Sequence, residues 1–142
     1  MEDNVYSFPH PQAILDGGGT VVNIFVNRNV ASGVIDPFID YLVGTGRLLH
    51  VLHAYGRYDP AGTAGDIFLV IDIVDTANVA KARLAILHGA FNTPLQNTTF
   101  AFPVNVIVPA GLKILGRVVN RINTTIYAEM GICAIEYEVF RT

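Results

Sequence analysis

Short apolar runs rich in Val and Ile, separated by turn residues, recur from residue 20 to the end of the chain. The clearest are TVVNIFVN (20–27), RLLHVLHAY (47–55), DIFLVIDIV (66–74), TFAFPVNVIV (99–108), LKILGRVVN (112–120) and TIYAEMGICAIEYEVF (125–140). Runs of this kind predict an all-β fold, an antiparallel β-sandwich of jelly-roll-like form, rather than helices alternating with strands. In the third run Ile67, Leu69, Ile71 and Ile73 share one face, and Phe68, Val70 and Val74 share the other with Asp72 as its one polar member. Both faces of that strand require cover. In the last run the apolar positions change parity, from Ile126, Ala128, Met130 and Ile132 to Ile135, Tyr137 and Val139, with Glu136 and Glu138 turned outward. Such a change predicts a β-bulge, and Gly131 marks its place.

Two segments depart from the strand pattern. In DPFIDYLVG (36–44), Asp36 can cap a helix, Pro37 suits its first position, Phe38, Ile39 and Leu42 share a face, and Gly44 follows its end. One short helix is expected there. TANVAKARLAIL (76–87) suits a helix by its alanines, but the preceding VDTAN makes a hairpin turn and the segment is read as a strand. In that strand Lys81 and Arg83 fall on one face, and Ala82, Leu84 and Ile86 on the other. Residues 1–19, with Pro9, Pro11 and the DGGG turn, are read as an extended N-terminal arm before an expected sandwich domain over 20–142.

Composition sharpens this picture. Of 142 residues 51% are hydrophobic and 15% charged, where soluble domains average roughly 25% charged. No Asp, Glu, Lys or Arg occurs between Leu84 and Leu112. Asn92, Pro94, Gln96, Asn97, Pro103, Asn105 and Pro109 interrupt that stretch, so it is not read as a membrane span. A surface this poor in charge is expected to be covered in part by other subunits. The net charge of -3 gives no reason to expect nucleic acid. The acidic start has no basic residues followed by an apolar run, so entry into a secretory route is not expected, and the NTT sequons at Asn97 and Asn123 read as turn or strand segments. The single cysteine, Cys133, has no partner for an internal disulfide and reads as a reduced core thiol.

YGRYDPAGTAGDIFLVID (55–72) is the stretch most like a site. It lacks the Lys and Ser or Thr of a phosphate loop, and Asp59 and Asp66 stand without the further ligands of a calcium loop. It reads as a connection between two antiparallel strands, with Asp59 and Pro60 opening a turn. His50 and His53 would share a helix face, but on a strand their odd spacing sends them to opposite faces. Lys113, Arg117 and Arg121 share one face of a strand, with Leu115 and Val119 between them. No set of nucleophile, base and orienting acid stands out, so no catalytic residue, metal or cofactor is assigned.

Between Gly46 and Glu138 the pieces GRLLHV, DIFLVID, TFAFPVNVIVPAG and AIEYEV resemble small β-sandwich structural proteins of tailed-phage virions. The resemblance implies a head decoration (cement) protein or a tail or fibre accessory protein, located in a virion assembled in the host cytoplasm. Its partners would be the major capsid protein or tail and fibre proteins, in a homo-oligomer such as a trimer, with no nucleic acid, membrane or cofactor. Assembly contacts are expected from Tyr6, Phe8, Pro9 and Pro11 of the arm, Phe68 and Val70 of the doubly apolar strand, and the stripe Lys113, Arg117 and Arg121. Two other functions fit parts of the sequence. A receptor- or glycan-binding module would use Tyr55, Tyr58, Asp59 and Asp66, and a small metal-dependent hydrolase would use His50 or His53 with Asp59.

Overall fold

The computed structural model describes residues 19–59, 66–90 and 98–138, which form eight strands. They are β1 (Thr20–Val30), β2 (Ile35–Leu42), β3 (Arg47–Asp59), β4 (Asp66–Val74), β5 (Ala80–Ala90), β6 (Thr98–Pro109), β7 (Lys113–Asn120) and β8 (Ile126–Glu138). All pairings are antiparallel, in two four-stranded sheets of order β1-β8-β3-β6 and β2-β7-β4-β5. Pairing runs β4 with β5, β3 with β6, β2 with β7 and β1 with β8. The chain is thus one long antiparallel hairpin rolled into two sheets, which is jelly-roll connectivity. The arm candidates Tyr6, Phe8, Pro9 and Pro11, and Pro60 of the expected turn, lie outside the described residues.

The sheets share one apolar core. Leu49, Val51, Tyr58, Ile126, Met130 and Ile132 from the first sheet meet Ile39, Ile67, Leu69, Ile71, Ile114 and Val118 from the second. Gly116 lets them approach: a Cβ there would lie 2.4 Å from Met130 Sδ and 3.0 Å from Ile39 Cβ. β4 is buried on both faces, as its two apolar parities require, with Val70, Asp72 and Val74 covered on the side away from the core.

No helix occurs among the described residues, and the one expected at 36–43 is a strand. Phe38 and Ile39 are buried side by side because the β2–β7 register shifts between Pro37 and Ile39. Adjacent burial at a bulge imitates a helical face, whereas Leu42, the third member of that face, is exposed. Pro37 has no N–H to leave unpaired, so it suits this edge strand as well as it would a helix start. The segment after Val74 is the expected hairpin: Asp75 Oδ1 accepts from Ala77 N and Val79 N, Asn78 takes a positive φ of 63°, and the strand begins at Ala80.

The predicted bulge in β8 is absent. β1 and β8 pair without a break from Thr20 with Glu136 to Val30 with Ile126. Ile126, Ala128, Met130, Ile132 and Ala134 all point into the core, while Ile135 and Tyr137 are buried on the outer face. Glu136 is not turned outward, since it lies at the inner rim and accepts a hydrogen bond of 3.0 Å from Tyr41 of the opposite sheet. The irregularity lies in the neighbouring strand, where the register between β3 and β8 skips Leu52.

Candidate functional site

The Leu52 bulge inverts the parity of β3, and this builds the outer face of the first sheet. Leu49 and Val51 face the core before it, and Ala54 and Tyr58 after it. His50 and His53 therefore lie on the same outer face, contrary to the opposite faces that odd spacing predicts. His50 Nε2 is hydrogen-bonded to Asn105 Oδ1 at 2.6 Å, where β6 is itself irregular and Asn105 has φ 53°. No group of three or more His, Cys, Asp or Glu able to hold a metal ion occurs among the described residues.

Tyr55 and Arg57 follow on the same face and meet Glu129 of β8. Glu129 Oε2 accepts from Arg57 Nε at 2.9 Å and Tyr55 OH at 3.0 Å, and Oε1 accepts from Arg57 Nη2 at 3.3 Å and Tyr127 OH at 3.2 Å. Arg57 Nη1 also donates to Asp59 at 2.6 Å. The Arg57 hydrogen bond, joined by those of Tyr55 and Tyr127, holds the Glu129 carboxyl below its usual range. Burial, then the adjacent Glu129, raises both phenols, which stay protonated donors. Glu129 is thus a fully used acceptor that fixes its neighbours, not a free catalytic base.

Beside this network lies a shallow apolar cleft of about 300 Å³, lined by Asn23, Phe25, His53, Tyr55, Gly131 and Cys133 among others. Phe25 and Tyr55 form a tilted aromatic pair in its lining, with ring centroids 5.9 Å apart and planes at 37°. Gly131 makes the depression, because a Cβ there would lie 2.9 Å from the Ile24 carbonyl oxygen and 3.3 Å from the Phe25 ring.

The outer face of the second sheet carries a different constellation. Asp72, almost fully buried, accepts from Arg83 Nε at 2.9 Å and Nη2 at 3.3 Å, and from Arg117 Nη2 at 3.0 Å. A groove of about 260 Å³ runs over Phe68, Val70, Arg117, Val119 and Arg121, with Arg83, Ile86 and Ile35 at its sides. The Arg121 guanidinium sits 5.5 Å from the Phe68 ring centroid. Ile86 is beside Arg83 here, not opposite it as simple alternation predicts, because the β4–β5 register skips Leu84 between Ala85 and Arg83.

The structure thus brings Phe68, Val70, Arg117 and Arg121 into one groove. Lys113 is at the far end of β7 and pairs with Asp40 at 3.0 Å. The proposed ligand loop does not form a unit. Tyr55 and Asp59 face outward from the first sheet, Tyr58 is buried in the core, and Asp66 begins β4 in the second. β3 and β4 lie in different sheets and are not paired with each other. Sequence reasoning did not find Phe25, Arg57, Glu129, Asp72 or Arg83 as members of these groups. Their hydrogen-bond partners are up to 74 positions away, and alternation along one strand does not reveal its neighbour.

No protein-family model matches the chain, and no curated protein does. Among solved structures, that of infectious bursal disease virus (Gx strain) aligns at TM-score 0.48 and 13% identity over 84% of this chain and 32% of that one. The chain thus spans about a third of the length of that viral protein. A structure of Bacillus endospore appendages, described as disulfide-linked pili, aligns at TM-score 0.42 and 11% identity over 86% and 91% of the two chains. The SPBc2 prophage-derived protein YomS aligns at 0.38 and 14% over 79% and 95%. Likenesses this loose carry no argument about what the chain does.

Proposed function

We propose that the chain is a non-enzymatic structural subunit of a virus particle, and specifically a capsid decoration (cement) protein that stabilises the head by binding between capsomers. One observation carries this reading: large apolar side chains are exposed around the sandwich, with Val21, Phe25, Ile35, Leu42, Val79 and Ile86 each about half or more open to solvent. Together with the low charge, such a surface suits contact with other proteins. A subunit that binds only the assembled lattice raises the free energy needed to take it apart. The phage resemblance of the strand and turn motifs points the same way. The test is to purify particles with and without this protein and compare their composition and resistance to heat. Equal stability, or absence of the protein from intact particles, refutes the reading.

The Phe25–Tyr55 cleft favours a second reading, a receptor- or glycan-binding accessory module of a tail or fibre, since an aromatic pair lining a depression suits the apolar face of a sugar. Tyr58 has no part in it. Binding on a glycan array that is lost in Tyr55→Ala supports this alternative, and a capsid-wide location with a blank array removes it. The hydrolase reading is tested by metal analysis of the purified protein.

A further inference from the structure

Each sheet has two edge strands, and three of the four edges carry features that discourage pairing with another chain. β2 has Pro37 and a bulge, its charges Asp36 and Asp40 being paired with Arg28 and Lys113. β5 has two register breaks together with Lys81 and Arg83. β6 has Pro103, Pro109 and the irregularity at Asn105. Proline, bulges and charge are the usual protections of a sheet edge. β1 has neither proline nor bulge. Its eleven residues pair with β8 without a break, it contains no proline or lysine, and its one charge, Arg28, is engaged by Asp36. Val21 and Phe25, on its outer face, are 63% and 57% exposed.

We propose that β1 pairs with β1 of a second copy, antiparallel about a two-fold axis at Phe25, to make a continuous sheet of order β6-β3-β8-β1-β1-β8-β3-β6. An arrangement that repeats head to tail would need a second receptive edge, and the other three are protected, so the contact is isologous. The strand complements itself. With Phe25 on the axis, Val21 faces Asn29, Asn23 faces Asn27, Ile24 faces Val26 and Val22 faces Arg28, so each face is preserved and no like charges meet. The two Phe25 rings then continue the contact each makes with its own Tyr55. The chain's own first eighteen residues are a poorer occupant, because Pro9 and Pro11 interrupt any ladder there. At about 3.3 Å per residue and a depth of about 10 Å, the strip covers roughly 360 Å² on each copy. The two copies together bury roughly 720 Å², below the range of stable specific interfaces, so the pair is weak and concentration-dependent in solution and firm only where copies are held close together.

Sedimentation equilibrium of the full chain up to about 1 mM is expected to show the mass rising from 15.4 kDa towards twice that value. Phe25→Lys should weaken association at least tenfold with the far-UV spectrum unchanged, and Val79→Lys should not. In a Cys133→Ser background, Phe25→Cys should form a disulfide-linked dimer at least tenfold faster than Val79→Cys. A monomer at every concentration, a dimer indifferent to Phe25→Lys, or equal cross-linking of the two cysteine variants overturns the proposal. None of these results touches the virion reading, which rests on binding to particles.

Discussion

Asp72 is a carboxylate with 1% of its side chain exposed, held under Arg83 and Arg117, whose own side chains are 52% and 37% exposed. Seen from the arginines this is a surface pair worth under about 1 kcal/mol. From the aspartate it is a buried charge whose neutralisation depends on them. Replacing either arginine by Met keeps an aliphatic cover and removes its donors, which should cost about 1.5–3 kcal/mol. The double variant Arg83→Met/Arg117→Met leaves the carboxylate uncompensated and should cost about 3–5 kcal/mol. Adding Asp72→Leu should restore most of that loss, because an apolar trio replaces the ion triad on a face already walled by Val70 and Leu115. The assay is urea unfolding at pH 7 with unchanged slope, at one fixed protein concentration. If the double variant costs under about 1 kcal/mol, or if Asp72→Leu destabilises it further, the view of Asp72 as a charge dependent on its cover is wrong.

Glu129 should make stability acid-sensitive. Its pKa is lowered on folding by Arg57, Tyr55 and Tyr127, so its contribution is complete above the ordinary value of 4.5 and is lost as pH falls through the lowered one. The gap in urea midpoint between the native chain and Glu129→Gln should therefore be widest near neutrality and narrow below about pH 4.5. Asn120, fully buried, donates to the carbonyls of Val30 and Thr124 at 2.9 Å and accepts from Ile122 N at 2.9 Å. Asn120→Ala strands all three groups and should cost about 2–4 kcal/mol in chemical denaturation, whereas an effect below about 1 kcal/mol means that water replaces the amide. Gly131→Ala places a methyl against the Ile24 carbonyl, which a side-chain rotation cannot relieve, so β1 amides should lose hydrogen-exchange protection before those of β4.

Strand existence was readable because each run carries its own alternation, and the limits of β4 were visible in DIFLVIDIV itself. What could not be read was where that alternation slips. The parity change near Gly131 was real, but Ile135 and Tyr137 are outward residues buried on their own side, not inward residues displaced by a bulge. The true slip at Leu52 falls within LHVLHAY, where apolar residues occupy both parities and conceal it. For the same reason His50 and His53 were assigned to opposite faces, and Phe38 with Ile39 to a helix. The candidate sites were harder still. Lys113, Arg117 and Arg121 could be placed on one face of β7, but the carboxylate beneath Arg117 comes from β4 and the second guanidinium from β5.

The rolled-hairpin pairing also sets the order in which the molecule can be made. β4 and β5 meet across a short turn, but β1 waits for β8, nearly a hundred residues later. At ribosomal rates of roughly 5–20 residues per second, that is a delay of about 5–20 s. During it the apolar strand Thr20–Val30 has no mate, and in a crowded polysome its first available neighbour is the same strand of another nascent chain.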